Sequence, residues 1–136
     1  IMSRQDAAVM ADMLKAVIME GTGKKAARIK TDIAGKTGTT NDFKDALFIG
    51  FSPETCLGVW VGNDNATPLG RNETGAKAAL PIWIDTMKAA VENRPVHYFD
   101  IPDQTKMVYI NPSTGKTTRP EDRSAVRALL RTKDLE

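Results

Sequence analysis

The sequence predicts an α/β chain of the α+β type, an antiparallel sheet covered by helices. Three observations carry that expectation. Three apolar, β-rich runs follow one another between residues 33 and 61, separated by short turn sequences. An amphipathic helical pattern lies on each side of them. And 136 residues, 41% of them hydrophobic, are enough to bury a core between the two layers.

The first element is a helix over residues 4 to 20. Ala7, Ala8, Ala11, Leu14, Val17 and Ile18 recur at helical spacing. Ser3 with Asp6 resembles a capping box, and Gly21 followed by Gly23 stops the helix. A basic loop, Lys24 to Thr31, leads to the first strand, Ile33 to Thr40. Asn41-Asp42 supplies turn chemistry before the second strand, Ala46 to Phe51. Ser52-Pro53-Glu54 turns the chain into the third, Cys56 to Val61. Connections this short make the neighbours antiparallel. Leu47, Phe48, Ile49 and Phe51, then Leu57, Val59, Trp60 and Val61, are apolar almost without alternation, which predicts burial on both faces.

Asn63 to Lys77 is rich in Asn, Gly, Asp and Thr and reads as a long loop. A second helix, Ala79 to Val91, puts Leu80, Trp83, Ile84, Met87 and Val91 on one face, with Pro81 in its first turn. Beyond Arg94-Pro95 the composition turns polar, so residues 95–136 read as a partly flexible extension. Within it, Met107 to Ile110 suggests a short strand, Asn111 to Gly115 a turn, and Ala125 to Leu130 a short helix.

Composition excludes several functions. Lys and Arg number 19 against 17 Asp and Glu, a net charge of +2, so no basic excess points to nucleic acid. One cysteine, Cys56, forms no internal disulfide, and with the single histidine, His97, it leaves the usual zinc sets unfilled. No cofactor and no metal is implied. No apolar run approaches the ~20 residues needed to cross a bilayer. Three Gly-Lys pairs imitate a phosphate loop, but the glycine required five residues earlier is Ile18, Lys30 or Ile110.

Lys36-Thr37-Gly38-Thr39 is the unusual segment. A cation, two hydroxyls and a glycine sit in a strand that leads a hydrophobic sheet. Glycine there marks close approach of a ligand or of another backbone. Lys36 with Thr37 and Thr39 suits a carboxylate, and an exposed strand edge suits an extended peptide. By itself the tetrapeptide fits an ordinary polar edge strand defended by lysine at least as well.

Longer stretches carry a resemblance. Lys-Thr-Gly is one of the three motifs of penicillin-binding proteins and serine β-lactamases. Around it stand Gly21-Thr22-Gly23-Lys24, Ala34 to Asp42, Asp45 to Phe51, Gly58 to Gly62, Pro68-Leu69-Gly70 and Pro81-Ile82-Trp83, in order. Together they resemble the C-terminal part of the transpeptidase domain of class A, bifunctional penicillin-binding proteins, and within them the type 1A group. The resemblance covers residues 1–94. Leu47 stands where that family usually has Trp, and Ala76 where Gly is frequent.

The resemblance implies a serine β-lactamase/penicillin-binding-protein transpeptidase-like fold, present as a partial domain. It implies a D,D-transpeptidase that cross-links stem peptides through an acyl-serine and is the target of β-lactams. Its partners are then peptidoglycan stem peptides ending in D-Ala-D-Ala and β-lactam antibiotics. No partner of the nucleic-acid kind is implied. The resemblance also implies roles for the strand: Lys36 to attract the substrate carboxylate and aid proton transfer, the Thr37 and Thr39 hydroxyls to hold that carboxylate, Gly38 to leave room for the substrate, and the Thr39 backbone N–H to be one oxyanion donor. The other two motifs have no match. Ser113-Thr114-Gly115-Lys116 fits Ser-x-x-Lys formally, but it follows Lys-Thr-Gly and reads as a turn. The nucleophile is therefore expected in an upstream half of the same protein, with a membrane anchor and a place on the periplasmic face of the bacterial inner membrane. A peptide- or carboxylate-binding module and a β-lactamase-like hydrolase are the alternatives.

The other conspicuous residues read as bland. Cys56, Trp60 and Trp83 are expected in the core and His97 at the surface. Asp64, Arg71 and Glu73 fall in the solvated loop, and Asn65 and Asn72 open glycosylation sequons of no consequence in a bacterial protein.

Overall fold

The computed structural model describes residues 1–135. Two helices, α1 (Arg4–Met19) and α2 (Leu80–Val91), accompany five strands: β1 (Ala34–Thr39), β2 (Asp45–Phe51), β3 (Cys56–Gly62), β4 (Thr105–Ile110) and β5 (Val126–Arg131). The chain divides into two compact units, residues 14–99 and residues 1–13 with 100–135.

The unit of residues 14–99 holds the sheet β1-β2-β3, antiparallel throughout. Its register sums are constant: Thr37 faces Phe48 and Thr39 faces Ala46, while Phe48 faces Val59. Side chains alternate across a sheet. Ala46, Phe48, Leu57, Val59 and Val61 therefore share one face, and that face carries the core with Leu80, Trp83, Ile84 and Met87 of α2 and Ile18 of α1. Those α2 positions fall at i, i+3, i+4 and i+7, one apolar stripe. Pro81 lies in the first turn, as expected. Gly50 admits the Trp83 ring: a Cβ there would stand 2.8 Å from Cζ2.

The opposite face corrects the expectation of burial on both sides. Ile49 is 56% exposed and Trp60 55%. Cys56, on the same face, is exposed as well. An unbroken apolar run signals burial on both faces only when both faces are covered, and here the helices of this unit pack on one. Trp83 is fully buried. A segment at residues 95–99 is tied to residues 31 and 32. Asp32 N–H donates to the His97 carbonyl at 3.0 Å and Phe99 N–H to the Asp32 carboxylate at 3.0 Å.

In the other unit, β4 and β5 pair antiparallel, Thr105 facing Arg131 and Ile110 facing Val126. The expected helix at Ala125 to Leu130 is thus a strand. Ala, Leu and Arg favour a helix locally, but Thr105 to Ile110 offers a partner ladder, and pairing overrides so weak a preference. The Asp12 carboxylate accepts the Leu129 N–H at 2.8 Å. The start of α1 is capped as its sequence predicts: Asp6 N–H donates to Ser3 Oγ at 3.1 Å.

Candidate functional site on strand β1

β1 is terminal in its sheet among the described residues. Thr40 N–H donates to the Asp45 carbonyl at 3.1 Å, one step beyond the β1–β2 register. Hydrogen-bonded and non-bonded pairs alternate in an antiparallel ladder. Lys36 and Gly38 therefore turn their N–H and C=O groups toward β2. Gly35, Thr37 and Thr39 turn theirs to the free edge.

Lys36 bends its side chain to that edge. Its ammonium donates to the Thr37 carbonyl at 3.0 Å and lies 3.4 Å from Thr37 Oγ1. The Thr37 and Thr39 side chains share the helix-bearing face, since their partners Phe48 and Ala46 are buried there. Thr37 Oγ1 lies 3.0 Å from Thr22 Oγ1, just past the end of α1. Thr39 Oγ1 accepts the Gly75 N–H at 3.0 Å. The four residues thus bring one cation, two hydroxyls and two free-edge N–H groups within a single strand.

That set is suited to an anionic, extended ligand. The ammonium and hydroxyls donate to a carboxylate, and the strand edge donates to a peptide carbonyl. Gly38 adds no side chain on the face it shares with Lys36; a Cβ there would meet only the Leu47 side chain, at 3.3 Å. Thr22 and Gly75 are the contributors that spacing did not single out. Thr22 lies within Gly21 to Lys24, one of the stretches that carry the family resemblance. Gly75 had no local signal, because its contacts are with residues far away in sequence.

A cavity of about 580 Å³ lies elsewhere, between Arg28 to Thr31 and the C-terminal end of α2. None of Lys36 to Thr39 lines it. Its wall mixes Arg28, Lys30, Lys88 and Arg94 with Asp85 and Glu92, so it selects no single charge. The strand edge, not this cavity, has the convergent donors.

Known proteins match this chain over most of its length. Penicillin-binding protein 1A of Aquifex aeolicus is 46% identical over 112 residues, 82% of this chain. Penicillin-binding protein 1A of Pseudomonas aeruginosa is 41% identical over 135 residues, 98% of the chain. The chain is class A penicillin-binding protein 1A-like. It spans 15% and 16% of those two relatives. A crystal structure of penicillin-binding protein 1A from Haemophilus influenzae superposes with a TM-score of 0.83 at 33% identity, over 96% of this chain and 20% of that one. No protein-family model matches. The α+β architecture with its antiparallel sheets is therefore that of the matching stretch of penicillin-binding protein 1A. No helix among the described residues is long and apolar enough to cross a membrane.

Proposed function

We propose that this chain is the carboxylate-binding and oxyanion-donating part of a peptidoglycan D,D-transpeptidase. The observation that carries the reading is the free edge of β1, where the Lys36 ammonium reaches the Thr37 carbonyl and the Thr39 N–H points outward. In the reaction, a serine outside these 136 residues attacks the carbonyl of a stem peptide's D-Ala-D-Ala terminus. The tetrahedral oxyanion accepts the Thr39 N–H and one further donor. Terminal D-Ala leaves as the acyl-serine forms, and the amine of a neighbouring stem then displaces the serine to make the cross-link.

Lys36 attracts the terminal carboxylate and helps move the proton to the leaving amine. The Thr37 and Thr39 hydroxyls donate to that carboxylate. Gly38 keeps the substrate face clear. β-Lactams present the same carboxylate beside a strained amide and so occupy the same groups. The nucleophile, the Ser-x-x-Lys motif and the middle motif belong to the upstream half of the parent protein, which is anchored in the inner membrane and faces the periplasm.

The test is acylation by labelled penicillin. The full-length protein carrying this sequence labels, and Lys36→Ala slows it by about 10²–10⁴-fold, the usual contribution of a positioned proton-transfer group. These 136 residues alone do not label. An unchanged rate in Lys36→Ala removes Lys36 from the mechanism, and labelling of the short chain refutes the external nucleophile. A peptide-binding module without chemistry is the second reading, favoured by the same free edge. Under it, stem peptide shifts the β1 amide signals while penicillin never becomes covalently attached.

A further inference from the structure

We infer that Gly75 is a positioning residue for the Lys36–Thr39 strand, a role that rests on the carboxylate-binding reading above. Three independent observations converge on it.

The first is steric. A Cβ on Gly75 would lie 2.3 Å from the Leu47 carbonyl oxygen, 2.5 Å from that of Gly38 and 3.2 Å from the Gly38 nitrogen. These are backbone atoms of the β1–β2 ladder, in a register where Gly38 faces Leu47. They cannot swing aside as a side chain can. The φ of Gly75 is not positive, so glycine is needed here for close approach and not for an unusual conformation.

The second is chemical. Gly75 N–H fills one acceptor site of Thr39 Oγ1. A hydroxyl has one proton and two lone pairs. With a lone pair occupied from the helix side, the Thr39 proton is left to donate, and no described group takes it. Gly75 therefore holds Thr39 Oγ1 in place through one lone pair while leaving its proton to donate, as a carboxylate requires.

The third is topological. Gly75 opens a π-type turn, Gly75–Ala79, that runs directly into α2. Such turns are rare and cluster at functional sites. The loop before it is tied at a second point, where Leu69 N–H donates to the Phe43 carbonyl at 2.9 Å. Asp42 and Phe43 hold φ of 61° and 55°, a strained pair for side-chain-bearing residues. Both ties of the loop thus land on Thr39 to Phe43, the end of β1 that bears the oxyanion donor.

Any side chain at position 75 must lift the turn from the ladder or push β1 outward. Either motion leaves Thr39 Oγ1 without its fixed donor. A shift near 1 Å at a reacting group costs as much as about 10²-fold in rate.

The experiment compares penicillin with its methyl ester as acylating agents of the full-length protein. The free acid reacts faster in the unaltered protein because its carboxylate is bound. In Gly75→Ala the free-acid rate falls about 10–100-fold while the ester rate falls little, so the acid-to-ester ratio collapses. Gly58→Ala, whose Cβ meets its nearest neighbour at an ordinary 3.6 Å, leaves the ratio unchanged. Equal losses for acid and ester in Gly75→Ala, or no loss, overturn the positioning role. Failure of the carboxylate reading itself shows differently: the unaltered protein then has no preference for the acid, and Lys36→Ala does not alter the ratio.

Discussion

Trp83 meets Phe48 edge to face, their ring centroids 4.9 Å apart with planes at 62°. The same indole donates its N–H to the Leu57 carbonyl at 2.9 Å. One side chain of α2 thus grips β2 through its ring and β3 through its nitrogen. Trp83→Ala removes both and leaves a void in a fully buried site, an expected loss of about 3–5 kcal/mol. Trp83→Phe keeps the ring contact but strands the carbonyl, for about 1–3 kcal/mol. Denaturant unfolding of the two variants checks the order; equal losses would place the whole contribution in the indole N–H bond and none in the ring contact.

Trp60 makes the opposite prediction, although its sequence neighbourhood looks just as apolar. It is half exposed, and its N–H reaches the Asp45 carboxylate at 3.0 Å on the open face. Trp60→Ala therefore costs no more than about 1 kcal/mol, the range of an exposed cross-strand contact. A loss as large as that of Trp83→Ala in the same unfolding series would mean that this face is covered in the whole protein.

The contrast between the two tryptophans shows how far the sequence can be read. Helix, three strands and helix were legible because their periodicities are local, and the caps at Ser3 and Pro81 follow from residue chemistry. Which face of β3 the helices cover is not local. Cys56 and Trp60 sit in the same apolar run as Val59 and Val61, and only the placement of α2 separates them. Ala125 to Leu130 reads as a helix from its own residues, and that local preference is outweighed by the ladder with Thr105 to Ile110, which the local pattern does not show. At the site, Lys36 to Thr39 stood out by its odd chemistry within a strand. The Gly75 contact did not, since Gly38 and Leu47 lie far back in the chain.

Asp32 holds residues 95–99, the start of the stretch whose composition predicts a partly flexible extension. Its side chain is 13% exposed, and it accepts the Lys15 ammonium at 2.5 Å and the Phe99 N–H at 3.0 Å. Beside it, Thr31 Oγ1 donates to the His97 carbonyl at 2.7 Å and accepts the His97 N–H at 3.2 Å. Asp32→Ala leaves a partly buried amide and an ammonium without their acceptor, a loss of about 1–3 kcal/mol. The loss should be local. Hydrogen exchange is expected to quicken at Phe99 while the amides of β2 stay protected; uniform loss of protection would make Asp32 a global, not a local, anchor.

Asp122 gives the pH dependence. Its carboxylate accepts Ser124 Oγ at 2.7 Å and Ser124 N–H at 2.9 Å on one oxygen. The other oxygen takes Thr118 Oγ1 at 3.0 Å and Asn111 Nδ2 at 3.3 Å. Four donors favour the charged form, Ser124 foremost, and hold the pKa down from 3.8 to about 2. The unfolded chain keeps the ordinary value near 3.9. A group with a depressed folded pKa stabilises the fold above its unfolded pKa, and that contribution disappears as pH falls through the folded one. The turn joining β4 to β5 is therefore unaffected between pH 5 and 8 and loosens as acid is added from about pH 4 toward 2. The Ser124 amide signal should titrate with a midpoint near 2, and Asp122→Asn should abolish that titration. A midpoint near 4 would mean that the four donors do not hold the carboxylate in solution.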